Sequence, residues 1–125
     1  MRILVVDHEP SARLHLRLLL EQWGPVEEAN SAELALDHAR AAARAGDPYD
    51  LICVDLPLPG PVGSEALASL RAEQQAALVE LVGVASGAGA PAVATSGADA
   101  GVVKPVTSAQ LRRVVERRQR GPRQD

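Results

Sequence analysis

The sequence predicts an α/β fold in which five short parallel strands alternate with helices. Continuous apolar runs of strand length are followed by stretches with helical spacing, and the connections between them are short and rich in Gly and Pro. Such alternation favours a parallel sheet with helices on both faces, because each right-handed crossover places its helix on one face. The 125 residues suit one compact domain, expected over residues 1–120, with residues 121–125 as a polar C-terminal tail.

The strands are expected where apolar runs are continuous, as in strands buried on both faces. This pattern is found at residues 3–6, 51–54, 81–85 and 102–103; residues 26–29, VEEA, are also expected to form a strand, although two glutamates interrupt their apolar pattern.

The helices are expected where apolar residues recur at helical spacing between Gly and Pro stops. Pro10 suits the first turn of a helix over residues 10–23. Asn30 with Glu33 predicts a capping box for the second helix, and residues 46–48 predict its end. The apolar face of that helix is expected at Ala32, Ala35, Leu36, Ala39 and Ala43.

The second half of the chain has two further helices and two irregular segments. The run PLPGPVG, residues 57–63, is expected to be neither helix nor central strand, with a helix from 64 to about 75. Residues 87–97 are rich in Gly, Ala and Pro, so any helix there is short. Thr107 with Gln110 caps the last helix, which ends at residues 121–122; its buried face is Leu111, Val114 and Val115.

Composition excludes several classes of function. Trp23 and Tyr49 are the only aromatic residues and the net charge is −3, so we expect no direct nucleic-acid contact. The single cysteine, Cys53, permits neither an internal disulfide nor a cysteine zinc cluster. No apolar stretch is long enough to span a membrane and no signal peptide precedes the first strand, so a cytoplasmic location is expected.

Polar residues stand at the carboxyl ends of the expected strands, where open parallel sheets form their sites. They are Asp7, His8, Glu9, Asp55, Ser86 and Lys104. Carboxylates attract a hard divalent cation, and an ammonium and a hydroxyl suit a phosphoryl oxygen. An aspartate can itself be the nucleophile and form an acyl phosphate. These residues therefore predict a place to hold Mg²⁺ and a phosphoryl group.

Four stretches carry a family resemblance: RILVVDHEP, DLICVDLPLPG, VGVASG and GADAGVVKPVTSAQL. With these motifs in order, the chain resembles the receiver domain of bacterial two-component response regulators, from residue 2 to about residue 118. The resemblance implies a flavodoxin-like, doubly wound five-stranded sheet of strand order 2-1-3-4-5.

The resemblance also implies roles for individual residues. Asp55 would be the phosphoacceptor, taking a phosphoryl group from a phosphohistidine on a sensor histidine kinase or phosphotransfer protein. Asp7, Asp55 and the backbone carbonyl of Pro57 would hold Mg²⁺, and Ser86 and Lys104 would contact the phosphoryl oxygens. The only activity implied is autocatalytic phosphoryl transfer to and from Asp55.

His8 and Gly101 are among the positions that depart from the family pattern. His8 occupies the position of the second acid, which usually contacts Mg²⁺; imidazole is a poor Mg²⁺ ligand, so the site is expected to be weakened or lost. A transition-metal site that uses His8 and Asp7 is the alternative. Gly101 stands where the family usually has Tyr or Phe, a ring that moves inward together with the hydroxyl residue. Glycine has no side chain, so this movement cannot occur here.

Two functions follow from the pocket. The first is a receiver domain in phosphorelay signalling that accepts a phosphoryl group on Asp55. The alternative is a degenerate receiver that serves as an interaction module without phosphorylation. Both imply a downstream protein partner, and the sequence leaves a homodimer open.

Overall fold

The computed structural model describes residues 1–56, 61–74, 79–85 and 97–119, without the side chains of residues 61–64. The strands are β1 (Ile3–Val6), β2 (Val26–Ala29), β3 (Leu51–Asp55), β4 (Glu80–Ala85) and β5 (Ala100–Val103). The helices are α1 (Pro10–Leu20), α2 (Ala32–Arg44), α3 (Pro61–Gln74) and α4 (Ser108–Gln119). A 3₁₀ turn, Glu21–Trp23, follows α1.

The strands form one five-stranded sheet in the order β2-β1-β3-β4-β5, and every neighbouring pair is parallel. The expected fold class and strand order are confirmed. In the register of the central strands, Val6 lies beside Val54 and Ala85 lies beside Val103. The residues that follow β1, β3 and β5 therefore emerge at one edge of the sheet.

The three central strands, β1, β3 and β4, are buried on both faces, and their alternate residues enter different cores. Leu4 and Val6 point into a core shared with α2 and α3, whereas Ile3 and Val5 point into a core shared with α1 and α4. The apolar face expected for the last helix is confirmed, because Leu111, Val114 and Val115 are buried.

Helix α2 differs from the expectation at both the cap and the face. Ser31, not Asn30, is the N-cap, because its side chain accepts a hydrogen bond from the Leu34 amide at 3.1 Å. Ala42 is buried and Ala43 is exposed. The buried positions Ala35, Ala39 and Ala42 follow spacings of four and three, which keeps them on one stripe of an α-helix.

The end of α2 is a Schellman motif. The Gly46 amide donates to the Ala43 carbonyl at 3.1 Å, and the Asp47 amide donates to the Ala42 carbonyl at 3.0 Å. Gly46 has a φ of 69°, which is a left-handed conformation that glycine adopts at little cost. The expected stop after α2 is therefore confirmed.

Helix α3 begins at Pro61, three residues earlier than expected, so residues 61–63 are helical. Proline is tolerated in the first turn of a helix, where its missing N–H has no partner to lose. The helix ends at Gln74, whose buried side chain accepts from the Tyr49 amide at 2.8 Å and donates to the Ala39 carbonyl at 3.1 Å. This amide ties α3 to α2 and to the segment before β3.

The edge of the sheet opposite the candidate pocket is closed by Arg2, Asp50 and Arg118. The Arg2 amide donates to the Asp50 carboxylate at 2.7 Å, and the Asp50 amide donates to the Arg2 carbonyl at 2.8 Å. The Arg118 guanidinium donates to the same carboxylate at 3.1 Å. The start of β1 and the end of α4 are thereby held together.

Several expectations lie outside the described residues. They concern Pro57, Ser86, most of the 87–97 segment, and the 121–125 tail with its helix stop. Among the helices that are described, none has both the length and the apolar character needed to cross a membrane.

Candidate functional site

Three predicted site residues stand at one edge of the sheet, directly after or at the end of β1, β3 and β5. The Asp7 amide donates to the Ala29 carbonyl at 3.1 Å, and the Lys104 amide donates to the Ala85 carbonyl at 2.7 Å. Both bonds continue the parallel ladders beyond the last strand residue. Asp55 is itself the last residue of β3. The sheet therefore sets where each side chain begins.

The Lys104 ammonium lies between two buried carboxylates. Its Nζ is 3.4 Å from Oδ2 of Asp7 and 3.3 Å from Oδ1 of Asp55. The Asp7 side chain is 0% exposed and the Asp55 side chain is 5% exposed, whereas the Lys104 side chain is 31% exposed. The predicted convergence of these three residues is observed.

This cluster has more negative charge than the ammonium can balance. Within the described part of the chain, Asp7 Oδ2 and Asp55 Oδ1 are buried and receive no hydrogen bond. Burial raises the pKa of the Asp55 carboxyl, and the negative charge of Asp7 raises it further, although Lys104 acts in the opposite direction. Burial tends to lower the pKa of Lys104, but the charges of Asp55 and Asp7 outweigh that effect and raise it.

His8 lies at the mouth of the pocket with its side chain 72% exposed. Its Nδ1 is 3.6 Å from Oδ2 of Asp55 and 3.9 Å from Oδ1 of Asp7. One ligand atom from each of these three residues falls within 4.8 Å of the other two. The acidic pair, with the imidazole beside it, is able to bind a metal ion.

Glu9 is not part of the pocket, although it follows His8 directly. Its carboxylate accepts from the amides of Ser11 at 3.2 Å and Ala12 at 2.9 Å, and so caps the N-terminus of α1. These hydrogen bonds, that of the Ser11 hydroxyl foremost, lower the pKa of Glu9. The acid directly before Pro10, the first helical residue, is the sequence signal for this cap.

Arg13 supports the pocket and was not singled out in the sequence. Its guanidinium donates to the Asp7 backbone carbonyl at 2.9 Å and to the Glu28 carboxylate at 2.9 Å. The contact joins α1, β2 and the segment after β1. An arginine on an amphipathic helix carries no signal that distinguishes this role from an exposed position.

Gly101 is exposed on β5 and pairs with Gly83 of β4.

Beside the pocket, a cavity of about 230 Å³ lies between α1 and the segment after β5. His15 borders this cavity and contacts the Val106 carbonyl through Nε2 at 2.8 Å. The positions of Pro57 and Ser86 in the pocket are not described.

A flavodoxin-like sheet with two acids and a lysine at its carboxyl edge is the arrangement that the sequence resemblance implies for a receiver domain. A family model described as the response regulator receiver domain matches residues 3–116. The chain belongs to the response regulator receiver domain family, and is a domain of two-component phosphorelay signalling.

Two curated relatives are sensor proteins. The sensor histidine kinase GacS of Pseudomonas protegens is 32% identical over 122 residues, which cover 91% of this chain and 13% of that protein. The sensory/regulatory protein RpfC of Xanthomonas campestris pv. campestris is 36% identical over 117 residues, which cover 89% of this chain and 15% of that protein. The chain thus spans only a small part of the length of these relatives.

Solved structures share the fold over nearly the whole chain. The receiver domain of a Pseudomonas aeruginosa sensor histidine kinase, with a magnesium ion coordinated in its active site cleft, has a TM-score of 0.75 at 22% identity. That match covers 93% of this chain and 94% of the other. A LuxR-family two-component response regulator from Aurantimonas has a TM-score of 0.71 at 30% identity, covering 98% of this chain and 86% of the other.

Proposed function

We propose that Asp55 is the phosphoacceptor of this receiver domain, and that its donor is a phosphohistidine on a sensor histidine kinase or phosphotransfer protein. The observation that carries the proposal is the convergence of Asp7, Asp55 and Lys104, with Lys104 Nζ within 3.4 Å of both carboxylates. The partner and the downstream target belong to the proposal, as does the binding of Mg²⁺.

In the proposed reaction, a carboxylate oxygen of Asp55 attacks the phosphorus of the phosphohistidine. A new O–P bond forms and the P–N bond breaks; the imidazole nitrogen leaves with the bonding electron pair and takes a proton from solvent, so that neutral imidazole is released. The product is an acyl phosphate on Asp55, which water later hydrolyses to inorganic phosphate and the free carboxylate. Each step is balanced without an oxidant or a reductant.

Lys104 lies where it can exchange one partner for another during this transfer. The ammonium contacts Oδ1 of Asp55 before reaction, and a phosphoryl oxygen on Asp55 would offer it a charge-assisted bond in its place. Asp7 keeps the ammonium in the pocket through the second contact. Asp7 and Asp55 would hold a divalent cation, which would neutralise phosphoryl charge. Pro57 and Ser86 belong to this proposal through the family pattern alone.

The test uses a small phosphodonor such as acetyl phosphate, a divalent cation and intact mass spectrometry. One added phosphoryl group is expected on the native chain, and none on Asp55→Asn, which keeps the side-chain shape but removes the nucleophile. Asp37→Asn is the matched control, because Asp37 is an exposed acid on α2. It should be phosphorylated like the native chain.

Two outcomes would contradict the proposal. An adduct that persists in Asp55→Asn would move the acceptor to another residue. No adduct with any divalent cation would favour the alternative, a receiver fold that acts through protein contacts alone.

A further inference from the structure

The Asp7–His8–Asp55 cluster presents a mixed set of ligand atoms to a metal ion. Two carboxylate oxygens and one imidazole nitrogen face one another at the pocket mouth, with His8 Nδ1 3.6 Å from Asp55 and 3.9 Å from Asp7. Carboxylate oxygens suit Mg²⁺, whereas imidazole suits first-row transition ions such as Co²⁺, Ni²⁺ and Zn²⁺. The identity of the third donor therefore selects between two classes of ion.

The two spacings from His8 Nδ1 are near that of a small coordination shell, and all three ligand atoms lie within 4.8 Å of one another. A tetrahedral ion with bonds of about 2.1 Å holds its ligand atoms about 3.4 Å apart. The two distances from His8 Nδ1 exceed this value by a few tenths of an ångström. His8 is mostly exposed, so a small rotation of its side chain would close the gap without disturbing the core.

The pocket also has the charge and the support that a cation site needs. Two buried carboxylates share one ammonium, so these three side chains carry one net negative charge when both acids are ionised. Asp7 Oδ1, which is the Asp7 oxygen that faces His8, accepts a hydrogen bond from the Glu9 amide at 2.9 Å. A hydrogen bond of this kind orients a carboxylate ligand.

We propose that His8 is a direct metal ligand, and that the Asp7–His8–Asp55 cluster binds an imidazole-accepting first-row transition ion, such as Co²⁺ or Zn²⁺, in preference to Mg²⁺. The inference concerns the metal cluster of the proposed function and deepens it. It does not require that Asp55 be phosphorylated, and its test contains no phosphodonor.

The test compares Co²⁺ and Mg²⁺ binding by calorimetric titration of the native chain, His8→Gln and His8→Asp. His8→Gln should weaken Co²⁺ binding about tenfold or more and change Mg²⁺ binding little, because only Co²⁺ gains from imidazole. His8→Asp should strengthen Mg²⁺ binding about tenfold, so that the preference for Co²⁺ falls sharply. In the native chain, Zn²⁺ should shift the imidazole proton resonances of His8 and Mg²⁺ should not.

His38→Gln is the matched control, because His38 is also a partly exposed histidine beside a carboxylate but lies outside the pocket. Its Nδ1 is 3.5 Å from the Glu27 carboxylate. Its metal affinities should equal those of the native chain. Equal losses of Co²⁺ affinity in His38→Gln and His8→Gln would overturn the proposal, as would a Co²⁺ to Mg²⁺ preference that neither His8 variant changes. Metal binding through His8 without phosphorylation of Asp55 would refute the proposed function alone.

Discussion

Lys104 is held in the pocket by two buried carboxylates, and each carboxylate depends on the same ammonium. Removal of one charge from such a group lowers the free energy of unfolding by more than the intact group contributes to it, because an uncompensated buried charge remains. Burial and the charge of Asp7 raise the pKa of the Asp55 carboxyl, whereas Lys104 lowers it.

Lys104→Met should lower the free energy of unfolding by about 2 kcal/mol at pH 7.5, or the melting temperature by roughly 8 °C. A carboxyl whose folded-state pKa is raised binds its proton more tightly in the folded state, so acid favours folding and rising pH removes that benefit. The loss in Lys104→Met should therefore be smaller at pH 5 than at pH 7.5, as thermal unfolding at the two pH values would measure.

Arg112→Met is the control for this variant, because Arg112 is an exposed cation on α4. It should change the free energy of unfolding by less than about 0.5 kcal/mol at either pH. An equal loss in Lys104→Met at both pH values would show that the ammonium does not compensate Asp55.

Asp7, Asp55 and Lys104 could be predicted from the sequence because each directly ends an apolar strand run, and parallel strands end at one edge. The use of Glu9 and Arg13 could not be predicted in the same way. Glu9 turns to cap α1 and Arg13 reaches back to the Asp7 carbonyl, and both choices depend on side-chain directions that residue order does not fix.

Among the elements, α2 shows that a shift of one residue in the predicted apolar face changes which residue is expected to be buried. The expected face included Ala43, but the helix begins one residue after Ser31 and its buried stripe runs through Ala35, Ala39 and Ala42. In a run of small residues such as 41–43, composition does not distinguish the inward alanine from its neighbours.

Ala42→Leu should lower the free energy of unfolding by about 1–3 kcal/mol, because the added carbon atoms must fit into a packed core. Ala43→Leu, one residue further on, is the control and should stay within about 0.5 kcal/mol of the native chain. Chemical denaturation of both variants measures the difference. A larger loss of stability in Ala43→Leu than in Ala42→Leu would show that Ala43 is the buried residue.

The start of α3 was missed for a different reason. Proline and glycine in residues 57–63 predict no helix in that run, but a proline at the first helical position needs no hydrogen-bond partner for its nitrogen. A breaker residue therefore marks the boundary of an element and leaves open on which side the element lies.

At the scale of the whole molecule, strand pairing determines the geometry of the pocket. Asp7 and Lys104 continue ladders that begin inside the sheet, and Asp55 lies within one. Because side chains alternate between faces, a slip of one residue in β3 would turn Asp55 away from Lys104. We therefore expect changes at the opposite edge of the sheet to leave this register intact.

Insertion of four Gly and Ser residues between Asp47 and Pro48 should therefore leave Co²⁺ affinity within about twofold of the native value. It should lower the free energy of unfolding by about 1 kcal/mol, through loop entropy and a weaker contact of Arg2 with Asp47. Calorimetric titration and denaturation measure the two effects. A loss of Co²⁺ affinity as large as that of Asp55→Asn would show that the turn controls the pocket.

The contact of Arg2 and Arg118 with Asp50 has a consequence for how this domain can be combined with others. It brings the first strand and the last described helix together at the edge of the sheet that faces away from Asp55 and Lys104. Sequence attached at either place would begin at the edge that contains Arg2 and Asp50. It would therefore start away from the edge that carries Asp55 and Lys104, where a partner would bind. Geometry of this kind suits a module that can be appended to larger proteins or inserted into them without rebuilding its chemistry.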